Sequence, residues 1–527
     1  MRTSERCLHI CFPLCFQRCL RISLPLVGYL FVAVCVSQSA VAETNAAWTW
    51  VGGSNTINLP GDYGTLGKFA PTNIPPGRWD AATWTDRNGN LWLFGGAGYD
   101  PATNSTGVLL NDVWEFNPIL KEWAWMGGSR AGLVRGHGVY GAIGTSAPGN
   151  VPGSSSRAVG WTDTDGNFWL FGGTGCDASG NRGQLNDLWE YRPVTDEWTW
   201  MGGSSSIGNN GGQAGVYGTL GVSTTGAIPG SRSGAVNWTD KVGNLWLFGG
   251  SGFDSKGVSG VLDDLWEFQP ALNEWVWMGG NNTVPKSGGW PGVYGTLGKP
   301  ALGNMPGSRS GAAGWTGRDG SLWLFGGSGF DADGAFTTLN DLWKWNPTTK
   351  AWSWIGGSIT SRGCSSTHQQ GPLIRCGGQS GAYGTFGASA ASNIPGARAG
   401  ATSWTDEAGN VWLLGGQGYD AAGNVGDLND DWRFDLSFST WTWIGGTSVE
   451  SSCKFIPAGE VFCKGQQGAY GTLGVPGPAN APGGRYGASA WKDDVGNFWL
   501  FGGYGTDHAG NGMGTLNDLW EYRGGGV

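Results

Sequence analysis

Residues 243–250 read GNLWLFGG, and the phrase returns as GNLWLFGG (89–96), GNFWLFGG (166–173), GSLWLFGG (320–327), GNVWLLGG (409–416) and GNFWLFGG (496–503). The second glycine of each copy is Gly96, Gly173, Gly250, Gly327, Gly416 or Gly503, so the steps are 77, 77, 77, 89 and 87 residues. Within one copy Leu245 and Leu247 alternate with Trp246 and Phe248. Such a strand is apolar on both faces and needs a packed layer on each side. Sheets stacked side by side around an axis meet that need.

The flanking residues supply the rest of each sheet. In the third copy three more apolar runs appear, SGAVNW (233–238), DLWEF (264–268) and EWVWMGG (274–280). The links TDKVGN (239–244) and QPALN (269–273) have the composition of short turns. Four strands repeated six times predict an all-β chain folded as a six-bladed β-propeller. Each unit places one tryptophan on each of its first three strands and two on the fourth, which accounts for 30 of the 33; Trp79, Trp290 and Trp345 fall outside this pattern. The pair spaced by two, Trp275 and Trp277, shares one strand face, where it either packs between blades or forms an exposed platform for sugar rings. WTWVGG (48–53) is a fourth-strand motif without the first three, and LNDLWEY (516–522) a third strand without a fourth. The last blade is therefore expected to be closed by the N-terminal strand, which protects its edge.

The double glycine after an apolar strand, the LDDLWEF segment (262–268) and the NEW segment (273–275) together resemble the kelch motif, in six copies over residues 48–523. The resemblance implies a kelch-type propeller. It leaves activity open, because kelch propellers include binding scaffolds, the copper-radical galactose oxidase group and a six-bladed sialic acid mutarotase.

Residues 1–42 differ from the rest. Arg2, Arg6, Arg18 and Arg21 precede an apolar run from Leu24 to Val36, and Ala40-Val41-Ala42 forms a cleavage signal before Glu43. This reads as a secretory signal peptide, with the propeller as residues 43–527. The apolar run is short for a membrane span, and Val34 before Cys35 is larger than a lipoprotein signal prefers. The net charge of −9 argues against nucleic acid as the partner. Export makes local disulfides Cys364–Cys376 and Cys453–Cys463 the reading of those pairs over zinc, because neither has C-x-x-C spacing, and leaves Cys176 over.

Chain direction alternates along a blade, so the 2–3 connections, such as 251–263, and the between-blade segments, such as 281–308, emerge on one face. Long loops on a rigid scaffold make that the binding face. The between-blade segments repeat Tyr63, Tyr140, Tyr217, Tyr294, Tyr383 and Tyr470. Each of Arg78, Arg232, Arg309, Arg398 and Arg485 lies six residues before the first-strand tryptophan. In the second unit Ser155 takes this place and the arginine moves to Arg157. Such a ring either faces a central funnel and holds an acidic ligand, or pairs with carboxylates such as Asp264 to fix each blade. Loops 358–380 and 447–467 are enlarged and hold the two cysteine pairs, a candidate recognition wall or a staple against proteolysis.

Enzymatic readings find few parts. His137, His368 and His508 lie in three different units, and Cys176 stands where Phe253 and Phe330 stand elsewhere. DADG (331–334) and DTDG (163–166) lack the oxygen series of a calcium loop and fit turns. The expectation is thus a monomeric exported module, secreted, periplasmic or on the cell surface. It binds a protein or glycan without cofactor or metal and has no transmembrane segment after signal cleavage. The rival is a sugar-active enzyme using the central funnel.

Overall fold

In this computed structural model the described residues are 47–130, 136–362, 369–370, 373–374, 377–451, 453–455, 461–510 and 512–523. The signal-peptide reading of 1–42 and the pair Cys364–Cys376 lie outside them. The chain is an all-β β-propeller. Numbered along the sequence, sheets one to four lie in 78–127, 155–202, 232–279 and 309–356. Sheet five is built on 398–445, and sheet six on 485–523 together with Ala47–Gly52. Among the described residues no helix is long and apolar enough to cross a membrane.

Six equal four-stranded blades were expected, and this is corrected. Five sheets have five strands each, and sheet five has seven. The extra strand arises because the innermost strand is broken. In sheet three, Arg232–Ser233 and Val236–Thr239 both pair with Leu245–Phe253, and Gly234 between them turns through φ +66°. Sheet five gains the hairpin of Cys453–Phe455 and Val461–Cys463, whose second strand runs parallel to Val425–Asp435. The expected 251–263 loop is corrected too. Strands Leu245–Phe253 and Ser259–Gln269 run through most of it, and Asp254 closes the remaining turn by accepting the amides of Lys256 and Val258, each at 2.8 Å.

The doubly apolar strand is buried as its pattern requires. Leu245, Leu247 and Phe248 are fully buried. Their alternation sends Leu245 and Leu247 to a cluster shared with sheet two, and Trp246 and Phe248 to one shared with sheet four. Among the described residues there are six such clusters, one between each neighbouring pair of sheets, and the one joining sheets one and six completes the circle. The tryptophan pairs pack here. Trp275 lies edge-on to Trp266 at 6.3 Å, and Trp277 edge-on to Tyr217 at 5.3 Å. Each ring of this size contributes about 4–6 kcal/mol of apolar burial. A polar stitch accompanies the packing, since the Trp238 indole N–H donates to the Trp323 carbonyl of the next sheet at 2.8 Å. Ala47–Gly52 pairs antiparallel with Met513–Arg523, so sheet six joins segments from both ends of the described chain.

At the axis the breaks in the inner strands meet. Arg157 N–H donates to the Asp80 carbonyl, Gly234 to Arg157, Gly311 to Gly234, Gly400 to Gly311, Gly487 to Gly400, and Asp80 back to Gly487, all at 2.8–2.9 Å. One residue from each sheet thus forms a closed ring of backbone hydrogen bonds.

Candidate functional site

The recurring arginines and tyrosines converge on buried aspartates. In sheet three Arg232 meets Asp264 through two parallel contacts of 2.6 and 2.7 Å and donates to the Gly249 and Gly230 carbonyls, so all three of its nitrogens are engaged. The same Asp264 accepts the Tyr217 hydroxyl at 2.6 Å and the Trp266 indole N–H at 2.7 Å. Burial alone lowers the guanidinium pKa, but the Asp264 carboxylate outweighs it and the net direction is up. Arg78–Asp112, Arg309–Asp341, Arg398–Asp430 and Arg485–Asp518 repeat the pair, with every side chain at most 2% exposed. Tyr63, Tyr294, Tyr383 and Tyr470 donate to those four aspartates, and Tyr140 to Asp187. The five arginines thus pair with carboxylates, the second of their two readings, rather than facing a funnel: with the six tyrosines, these eleven side chains lie inside the blades and tie each between-blade segment to its sheet.

The mouth, on the side of the long connections, is formed next to the axial ring by the residue after each arginine and its partner across the sheet: a Cβ on Gly234, Gly311 or Gly400 would lie 3.7, 3.7 or 3.4 Å from the Cβ of Ser310, Ala399 or Tyr486. Sheets two to four place small hydroxyls here, as in the pairs Ser156–Thr174, Ser233–Ser251 and Ser310–Ser328. Sheets six and one place aromatic rings. Tyr504 is 5.2 Å from Trp79 and 5.6 Å from Tyr486, and all three are half-buried. Of the three tryptophans outside the repeat pattern, Trp345 is in the core and Trp290 donates to the Thr283 carbonyl, which leaves Trp79 as the one at the mouth. On the hydroxyl side a cavity of about 570 Å³ is lined by Thr174, Gln184, Ser251 and Ser259 with Phe253, Phe330 and Phe336. Cys176, at the equivalent of Phe253, is buried.

Sheet five adds carboxyls that sequence reasoning missed. Asp427 accepts from Gln417 at 3.2 Å through Oδ1, while among the described residues Oδ2 has no hydrogen-bond partner and neither have the two carboxyl oxygens of Glu450. Burial pushes Asp427 up to about 7, and burial with the neighbouring charges of Asp430, Asp420 and Asp427 pushes Glu450 up to about 8. The bridge Cys453–Cys463 holds the hairpin beside them. The available signal was the broken column: Asp427 occupies the place of Gln184 and Val261, and Tyr504 that of Thr174 and Ser251. His368 lies outside the described residues, while Asp331 and Asp163 spend an oxygen on turn amides.

These carboxyls set a direction for pH. An acid whose pKa is higher folded than unfolded makes the native state hold extra protons, so stability falls as pH rises from about 4.5 to about 8. Asp263 and Asp431, each raised to about 7 by burial, act the same way. Each such group contributes at most about 1.4 kcal/mol per pH unit. Glu450→Gln is expected to match the parent at pH 4.5 and exceed its stability at pH 8.5, read by urea denaturation. Equal stabilities at pH 8.5 would count against an uncompensated buried Glu450.

No family model matches the chain, and no curated protein is significantly similar to it.

Proposed function

We propose that this is an exported, six-bladed kelch-type propeller, counting the seven-stranded sheet as a blade, with residues 1–42 as its export signal and 43–527 as the propeller. It works as a binding module for a protein or glycan through the face of the long connections. The expected pair Cys364–Cys376 forms a second bridge of the exported protein. The observation that carries the reading is the broken symmetry of the mouth. Trp79, Tyr486 and Tyr504 stand where other sheets have serine, threonine, alanine or glutamine. Aromatic faces opposite hydroxyls and amides suit a saccharide, whose C–H faces stack while its hydroxyls exchange hydrogen bonds. The arginine and tyrosine scaffold shapes this mouth from behind.

The test is a glycan array with a parallel pull-down, run on the parent and on Trp79→Ala/Tyr504→Ala. Loss of at least tenfold in affinity with an unchanged melting temperature is expected. Full retention of binding by the double variant would remove the mouth from consideration.

A further inference from the structure

Sheet two departs from the scaffold, and the departure leads to the axis. Ser155 replaces the buried arginine, and Asp187, 2% exposed, accepts from the Tyr140 hydroxyl at 2.7 Å, the Trp189 indole at 2.8 Å and its own backbone amide. Among the described residues no cation pairs with it, and burial pushes its carboxyl up. The arginine of this unit stands two residues later, in the backbone ring. Four ring positions are glycine, whereas Asp80 and Arg157 hold left-handed φ values of 55° and 57°. Residues with a Cβ adopt that conformation at a cost, and such outliers concentrate at functional sites.

The two exceptions face each other. Arg157 Nε lies 3.1 Å from Asp80 Oδ2, and Asp80 is the one partner of that guanidinium among the described residues. Its side chain is 42% exposed and reaches across the axis: a Cβ placed on Gly311, two sheets away, would lie 3.8 Å from Nη2. Glycine at the other four positions leaves the lumen open to this head group. Below the ring is a cavity of about 280 Å³, lined by Thr83, Val159, Asn237 and Thr402 together with Asp80 and Arg157. The lining follows the ring along the inner strands, so the cavity lies on the tight-turn side, away from the mouth.

We infer that Arg157 and this cavity form an axial receptor for the carboxylate of a small organic acid, with Asp80 holding the guanidinium in place until the ligand arrives. A guanidinium fork pairs with a carboxylate through two parallel hydrogen bonds, and Asp80 faces only its Nε edge. The volume is large enough for a hexuronate. Two separate departures, the loss of a scaffold pair in sheet two and the side chains on left-handed ring residues, converge on one arginine. The site is independent of the mouth, because Arg157→Gly removes no mouth side chain.

The test is calorimetric titration of the full protein with D-glucuronate, using D-glucose as the uncharged match. Glucuronate is expected to bind at least tenfold more tightly than glucose. Arg157→Gly installs the common ring residue, so it should fold with undiminished thermal stability and lose glucuronate binding. Arg157→Lys, which keeps the charge without the fork, should bind about tenfold more weakly than the parent, and Asp80→Asn should bind more tightly. Equal affinity for glucuronate and glucose in the parent, or unchanged affinity in Arg157→Gly, would overturn the proposal and leave the pair as an axial plug.

Discussion

Arg309→Ala is expected to lower stability by about 3–5 kcal/mol, because it leaves Asp341 buried without its cation. The guanidinium makes two contacts of 2.6 and 2.8 Å with Asp341 and donates to the Gly326 and Gly307 carbonyls. Both partners are fully buried. Water does not reach the carboxylate to replace the arginine, so the loss includes a stranded charge as well as the hydrogen bonds. Tyr294 and Trp343, which donate to Asp341 at 2.7 Å each, would then soften the anchor of the between-blade segment. The double variant Arg309→Met/Asp341→Leu removes both charges and is expected to cost less than Arg309→Ala. Urea denaturation of the three proteins decides it. A cost below about 1 kcal/mol for the single variant would mean that the buried pair does not hold the blade.

The second large effect is expected at Gly280. It turns with φ +76°, and a Cβ there would collide with the Asp263 carbonyl in the adjoining strand. Gly53, Gly128, Gly203, Gly357 and Gly446 repeat the contact in the other sheets. Gly280→Ala combines about 1–2 kcal/mol of left-handed strain with a backbone displacement, for a total of roughly 3 kcal/mol or more. Gly298→Ala is the matched control, since Gly298 has φ +71° and nothing within 4 Å of its Cβ position. It should cost only about 1 kcal/mol. Equal losses in the two melting temperatures would show that the strand opens freely around the added methyl.

The propeller was legible because its requirement is local. A strand such as NLWLF carries apolar residues on both faces, and no single sheet buries both. The kelch-like glycines and tryptophans repeat that requirement at fixed spacing. The break in the first strand was not read, although its signal is visible afterwards in RSGA (232–235 and 309–312), RAGA (398–401) and RYGA (485–488), with the glycine becoming Asp80 and Arg157 in the other two copies. The 251–263 segment reads as a loop because serine and glycine interrupt its few apolar strand residues, Phe253, Val261 and Leu262. Gly260 sits where a Cβ would meet Val284 and the Gly288 carbonyl, so close packing selects glycine and erases the alternation.

The candidate site was less legible for a chemical reason. An arginine that pairs with a carboxylate looks the same in sequence whether the carboxylate belongs to a ligand or to Asp264, which lies 32 residues away. Only burial separates the two. The mouth and axis are written in departures from the repeat, at Trp79, Asp80, Arg157, Asp427, Tyr486 and Tyr504, and a reading that aligns the copies passes over them as noise.

The closed ring at the axis also has an electrical consequence. Each N–H points to the next carbonyl in the same sense around the circle, so the peptide dipoles, about 3.5 D apiece, circulate and their in-plane components cancel. A half-open arc of the same amides would polarise the lumen sideways, and a full circle does not. The sideways field there is left to the one charged pair in the ring: Asp80 and Arg157, on adjacent sheets, break an otherwise neutral circuit and give the axis a negative and a positive flank.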